Sequence, residues 1–152
     1  MIFHKLIATG LGIGYIEKGA GTAAAIATCS LWYLFQSGAV NDSFLIPTLV
    51  TIIITIIGIW SSNKVEIEWG KDHNRVVIDE IAGMCITLLY IPFSILYISI
   101  GFILFRFFDI LKPLYIRKLE SLKGGWGVMA DDVLAGIYSN IVLQIVILTE
   151  LV

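Results

Sequence analysis

Hydrophobic and polar positions in this chain fall into long apolar blocks separated by short polar ones. Residues 2–9 place Phe3, Leu6 and Ile7 inward, which predicts a short amphipathic turn at an interface. Gly10, Gly12, Gly14, Gly19 and Gly21 follow and predict a flexible loop of close backbone approach. Thr22 is then the expected N-cap of a helix over 23–37 rich in Ala, Ser and Thr, small residues that suit close helix packing in a bilayer. Gln36 to Ser43 reads as a polar turn. Phe44 to Trp60 is a β-branched, apolar run whose helix would extend about 26 Å, close to the ~30 Å of a bilayer core. Pro47 falls in its first turn, where proline is tolerated, and the polar stretch Ser61 to Arg75 is expected to end it.

Ile78 to Ile91 predicts a shorter helix of about 20 Å ended by Pro92, and Ser94 to Lys112 predicts a return of about 28 Å. Residues 113–131 read as an amphipathic, glycine-rich connector, and Asp132 to Thr149 as the last span. The pattern predicts an all-α fold: a polytopic membrane helical bundle of about five helices, one short. The whole of 1–152 is expected to be one integral membrane domain, with 1–21 as a glycine-rich N-terminal segment.

Composition strengthens this picture. The chain is 58% hydrophobic and 14% charged, and its mean hydropathy of +0.91 is far above that of a soluble domain. A net charge of −2 offers no basic surplus for a nucleic acid partner. Cys29 and Cys85 both lie in apolar blocks and read as small space-filling residues, with neither metal-site spacing nor a disulfide framework. Met1 to Ala8 lacks a long apolar core and a cleavage site and is not read as a signal peptide.

Charge also sets the expected topology. If each apolar run crosses once, the loops at 1–21, 61–79 and 112–131 share one side, and all ten Lys and Arg residues lie on or near it. The positive-inside rule makes that side cytoplasmic. The same topology brings five acids to one depth at the cytoplasmic boundary: Asp79 and Glu80, Asp109, and Asp131 and Asp132. Arg106, Asp109 and Lys112 are three apart, hence neighbours on one helix face, before Pro113 stops the helix. Each part has a plain structural role open to it, because an acid at a helix start is commonly a cap and Arg106–Asp109 could be only an ion pair. Their coincidence in a chain with few charges favours a site. Five converging carboxylates repel one another, and a divalent cation relieves that; hard oxygen ligands suit Mg²⁺, which in turn binds phosphate oxygens.

Arg106, Lys112 and Lys71 are candidates to clamp those oxygens, with Asp72 as a further candidate near Lys71. Gly125 and Gly127, in the run Gly124-Gly125-Trp126-Gly127, could let backbone N–H groups approach a phosphate or could form a mere turn. His73 reads as a solvated loop histidine, and Gly10 to Gly14 fails the dinucleotide fingerprint. A cysteine-phosphatase motif is absent, since the residues six beyond Cys29 and Cys85 are Phe35 and Ile91. No Asp-x-Asp pair occurs, and two histidines are too few for a histidine phosphatase. A metal-activated water remains.

Three blocks together carry a resemblance. Val76-Val77-Ile78-Asp79-Glu80-Ile81-Ala82-Gly83-Met84, Phe105 to Pro113, and Gly124 to Gly136 resemble the phosphatidylglycerophosphatase A family in order and spacing. The glycine-rich start through Gly21-Thr22 resembles the family's first motif, but Ala20 stands where proline is usual and Glu17-Lys18 replace less charged residues. The resemblance implies a multi-pass, Mg²⁺-dependent enzyme of the bacterial inner membrane. Such an enzyme hydrolyses the membrane lipid phosphatidylglycerophosphate to phosphatidylglycerol and inorganic phosphate at the cytoplasmic face. On this expectation Asp79, Glu80, Asp109, Asp131 and Asp132 hold metal, and Arg106 and Lys112 neutralise the phosphoryl oxygens. The alternatives are a divalent-cation transport protein, which would need polar groups through the outer halves of the spans, and a CDP-alcohol phosphotransferase, whose long Asp-Gly…Ala-Arg…Asp pattern is absent.

Overall fold

The computed structural model describes residues 1–38, 44–71 and 73–150; Asp42, in the expected polar turn, and Asp72 lie outside them. Every regular element among the described residues is helical. There are seven α-helices rather than five: α1 (Ile2–Ala8), α2 (Ala20–Gly38), α3 (Leu45–Trp69), α4 (Ile78–Leu88), α5 (Ile95–Leu111), α6 (Ile116–Leu119) and α7 (Gly125–Leu148). A 3-10 turn at Ile13–Tyr15 joins α1 to α2. The extra helices are the N-terminal turn, which closes into α1, and α6 within the expected connector.

Three boundaries differ from expectation for local reasons. Helix α3 continues past Trp60 to Trp69, because its polar continuation is absorbed by packing: Ser61, Ser62 and Val65 are buried. Gly70, at φ 85°, then ends it. Helix α2 starts at Ala20, directly after Gly19 at φ 77°, so Thr22 falls inside its first turn and is not the cap. Helix α7 starts at Gly125 instead of Asp132, because Gly124 takes φ 65° and ψ −155° and sets the break there. Asp131 and Asp132 therefore sit about two turns inside the helix, where they cap nothing.

Helix α4 is the hub and packs against α7, α2, α3 and α5. Its own core contacts are the fully buried Met84 and Leu88, with Phe105 of α5 and Ala135 and Leu143 of α7. Gly83 and Gly136 let α4 and α7 meet backbone to backbone. A Cβ on Gly83 would lie 2.5 Å from the Phe105 ring and 2.6 Å from the Asp132 carbonyl oxygen, and one on Gly136 would strike the Gly83 carbonyl. A second cluster, Ala8, Val65, Ile78, Val128 and Met129, ties α1 and α3 to the same pair.

Helix α4 ends at Leu88, within apolar surroundings. Carbonyls at and just beyond its end are bonded from α7: Asn140 Nδ2 donates to the Thr87 and Leu89 carbonyls at 2.9 and 2.8 Å, and Gln144 Nε2 donates to Tyr90 O at 3.0 Å. Helices α3 and α7 are long and apolar enough to cross a membrane, yet only 28% and 33% of their most apolar stretches are buried. Their outward faces are therefore largely bare hydrocarbon, as at Leu45, Ile46, Leu49, Ile52, Ile53 and Ile56.

Candidate active site

The Gly83–Gly136 contact determines where the acids meet. Asp79 and Glu80 lie one turn before Gly83 on α4, and Asp132 lies one turn before Gly136 on α7. One carboxylate oxygen from each of Asp79, Glu80 and Asp132 falls within 4.8 Å of the others. Gly21, in the first turn of α2, closes the group from another side, since a Cβ there would collide with the Glu80 carboxylate.

Asp109 and Asp131 adjoin this trio and act on the charge of Asp132. Both are held by cations. Arg106 Nη1 donates to Asp109 Oδ2 at 2.5 Å, and Lys112 Nζ donates to Asp131 Oδ2 at 2.6 Å. Lys112 also donates to Glu120 Oε1 at 2.6 Å, a partner that nothing in the linear pattern pointed to. Lys112 reaches both acids because it caps α5 in the left-handed conformation, at φ 46°, after the helix has ended. Burial opposes its charge, but the hydrogen bonds to Asp131 and Glu120 outweigh this and raise its pKa above the ordinary lysine value.

All five acids, Arg106 and Lys112 line one polar pocket of about 650 Å³. Its other walls come from the glycine-rich segment (Gly14 to Thr22) and from the loop before α4 (His73 to Val76). The contribution of His73 differs from expectation. It is half-buried, lies 5.3 Å from the Trp69 ring, and accepts the Arg75 backbone N–H on Nδ1 at 3.2 Å. Other sequence candidates lie elsewhere. Lys71 is exposed and outside the pocket lining. Gly125 and Gly127 are also outside it: the Gly125 N–H donates to Asn63 Oδ1 at 2.6 Å, and the Gly127 N–H donates to Gly124 O at 2.9 Å. These glycines serve helix packing, since a Cβ on Gly125 would strike the Ile59 carbonyl of α3.

Asp79 Oδ1 and Glu80 Oε2 are buried and have no hydrogen-bond partner among the described residues. Buried acceptors without a donor are costly, and three clustered carboxylates compound the cost. An all-oxygen donor set of this kind fits a hard divalent cation.

Helical fold, bare apolar flanks and an acidic pocket edged by cations define a membrane-associated protein with a buried carboxylate cluster that could hold a metal ion. The comparisons sharpen that class. The sequence profile of the family described as "Phosphatidylglycerophosphatase A" matches residues 6–147. A Haemophilus influenzae protein named phosphatidylglycerophosphatase A is 40% identical over 91% of this chain and 85% of its own length. An Escherichia coli protein of the same name is 32% identical over 93% and 81%. A Bacteroides thetaiotaomicron protein, provisionally named a phosphatidylinositol-3-phosphatase, is 43% identical over 92% and 91%. No solved structure matches the chain. The protein belongs to the phosphatidylglycerophosphatase A family and is a phosphoric monoester hydrolase.

Proposed function

We propose that the protein removes the terminal phosphate of phosphatidylglycerophosphate, with Mg²⁺ as cofactor, at the cytoplasmic face of the bacterial inner membrane. The whole chain acts as one multi-pass membrane domain. The observation that carries this reading is the Asp79, Glu80 and Asp132 cluster, with its two unpartnered buried oxygens, in a pocket edged by Arg106 and Lys112.

Asp79, Glu80 and Asp132 would hold the cation, with Asp109 and Asp131 beside them. A bound divalent cation supplies charge neutralisation, a grip on phosphate oxygen, and activation of water at neutral pH. Arg106 spends one donor on Asp109 and has others to offer a phosphoryl oxygen. Lys112, shared between Asp131 and Glu120, keeps Asp131 in place and adds positive charge as the phosphoryl group transfers. The water oxygen bonds to phosphorus, one pocket carboxylate takes its proton, and the bond from phosphorus to the glycerol oxygen breaks. That oxygen takes up the proton which the carboxylate accepted and leaves as a hydroxyl group, so the carboxylate returns to its ionised form. Bare apolar flanks suit a substrate that never leaves the bilayer.

A phosphoinositide monoester is a second reading, favoured by the provisional name of the 43% identical relative. Both lipids carry a phosphomonoester beyond a phosphodiester, so the same floor would serve either. Phosphate release from micellar phosphatidylglycerophosphate and phosphatidylinositol 3-phosphate, with Mg²⁺ and then with excess EDTA, tests the proposal. Release from the first lipid that EDTA abolishes and Mg²⁺ restores is expected. Folded protein that releases none with Mg²⁺ present overturns it, and faster release from the second lipid moves the reading to phosphoinositides.

A further inference from the structure

Two kinds of cation face the pocket. Arg106 and Lys112 are both engaged by carboxylates. Arg75, on the loop before α4, lines the same pocket, and its guanidinium forms no ion pair or hydrogen bond among the described residues. It is nonetheless held in place. Its guanidinium carbon lies 5.3 Å from the Tyr15 ring centroid and 5.9 Å from that of Trp69. These ring contacts take up no N–H donor, so its N–H groups are left without an acceptor among the described residues.

The backbone beneath Arg75 is equally anchored. Gly14 packs so tightly on the Arg75 carbonyl that a Cβ there would overlap it. The Arg75 N–H is taken by His73 Nδ1, and the next two residues are pinned by bonds from Val76 N to His73 O at 2.8 Å and from Val77 N to Ala8 O at 2.9 Å. An exposed arginine ordinarily samples many rotamers and loses that freedom on binding. Here the aromatic clamp has already restricted it, which favours capture of a planar-matched anion.

We propose that Arg75 forms a second phosphate subsite at the pocket rim and binds the phosphodiester of a lipid whose terminal phosphomonoester lies over the acids. This rests on the lipid-phosphatase reading above. The chemistry divides naturally. The acid floor needs a cation before it can accept an anion, whereas Arg75 needs none. The pocket volume of about 650 Å³ falls in the roughly 300–1,000 Å³ range that takes a whole small molecule, so a headgroup with two phosphates has room. A lipid whose only phosphate is the monoester, as in phosphatidic acid, cannot use both subsites. Arg75 is therefore a specificity residue that selects headgroups carrying both esters.

The test compares phosphatidylglycerophosphate with phosphatidic acid on the full-length protein and on Arg75→Gln and Arg75→Lys. Arg75→Gln is expected to lose about tenfold or more of the preference for the two-phosphate lipid in kcat/KM, mainly through KM, as a charge-assisted hydrogen bond implies. Arg75→Lys should restore part of it. Equal losses on both lipids, or an unchanged preference, overturn the proposal; if Arg75→Gln does not fold, the preference of Arg75→Lys against the parent decides alone. A second readout needs no turnover. In EDTA, phosphatidylglycerophosphate micelles should raise the melting temperature of the parent more than phosphatidic acid micelles do, and Arg75→Gln should lose that difference. If the parent hydrolyses neither lipid, the phosphatase reading fails, and the melting shifts still decide the subsite: equal shifts in the parent sink it.

Discussion

The two ends of the α4–α7 contact treat their polar groups in opposite ways. At one end, Asn140 and Gln144 donate to the Thr87, Leu89 and Tyr90 carbonyls at and just beyond the end of α4, so those three groups have partners. At the other, Asp79 Oδ1 and Glu80 Oε2 are buried beside Asp132 without one. Both ends bury polar atoms, and a buried polar group without a partner is costly. The satisfied end is architecture, since it lets a helix of 11 residues end inside the bundle. The unsatisfied end carries a cost that a bound cation would relieve, and the close Gly83–Gly136 contact lies between the two ends.

The contrast can be broken most sharply at the open end. Asp132→Asn should lower phosphate release about a hundredfold or more, as loss of a catalytic group does. Its melting temperature in EDTA should not fall, because one member of a mutually repelling buried set has lost its charge. Mg²⁺ should raise the melting temperature of the parent and not of this variant. Near-parental release by folded Asp132→Asn would remove Asp132 from the site.

A smaller effect is expected between the ends. Gly136→Ala places a methyl group against the Gly83 carbonyl and must move α7 off α4. Displacement of the acids by about 1 Å can cost up to about a hundredfold in turnover. Parental kcat at an unchanged melting temperature would show that the contact does not position the acids. The smallest effect belongs to the closed end. Asn140→Leu removes the side-chain donor to the Thr87 carbonyl and leaves Leu89 O only the long bond from Gln144, and should cost about 1–2 kcal/mol of stability, read by unfolding in detergent. The folded fraction should keep its kcat. A loss of kcat without a loss of stability would mean that the two ends are not separable in function.

Particular residues mark how far the linear pattern reaches. The helical class, the two long apolar helices and the family blocks were legible because apolar runs and proline or glycine breaks are local signals. The convergence of Asp79, Glu80 and Asp132 was legible only as a shared depth. Two groups of candidates lie away from the pocket for one reason. Gly125 and Gly127 stand next to the acids in sequence, but the helix starting at Gly125 turns their N–H groups toward α3 and into its own first turn. Lys71 stands eight residues before Asp79, but loop geometry leaves it outside the pocket. Sequence proximity says little about direction once the chain bends. Glu120, His73 and Arg75 carried no usable signal, since each is an ordinary polar residue of a loop or a helix end.

Sequence alone determined that this chain is helical, rich in apolar surface and supplied with a few acids in three short blocks, because those properties depend on residue type and on spacing within a turn or two. Tertiary structure decided most of the division of labour among the acids. The Arg106–Asp109 pair is local to α5, but Lys112 finds Asp131 only because α5 packs on α7. Which carboxylates cluster depends on where α4 crosses α7, two helices brought together at glycines 53 residues apart, Gly83 and Gly136. A contact between backbones has no pattern along the chain, so it becomes visible only when the helices are packed.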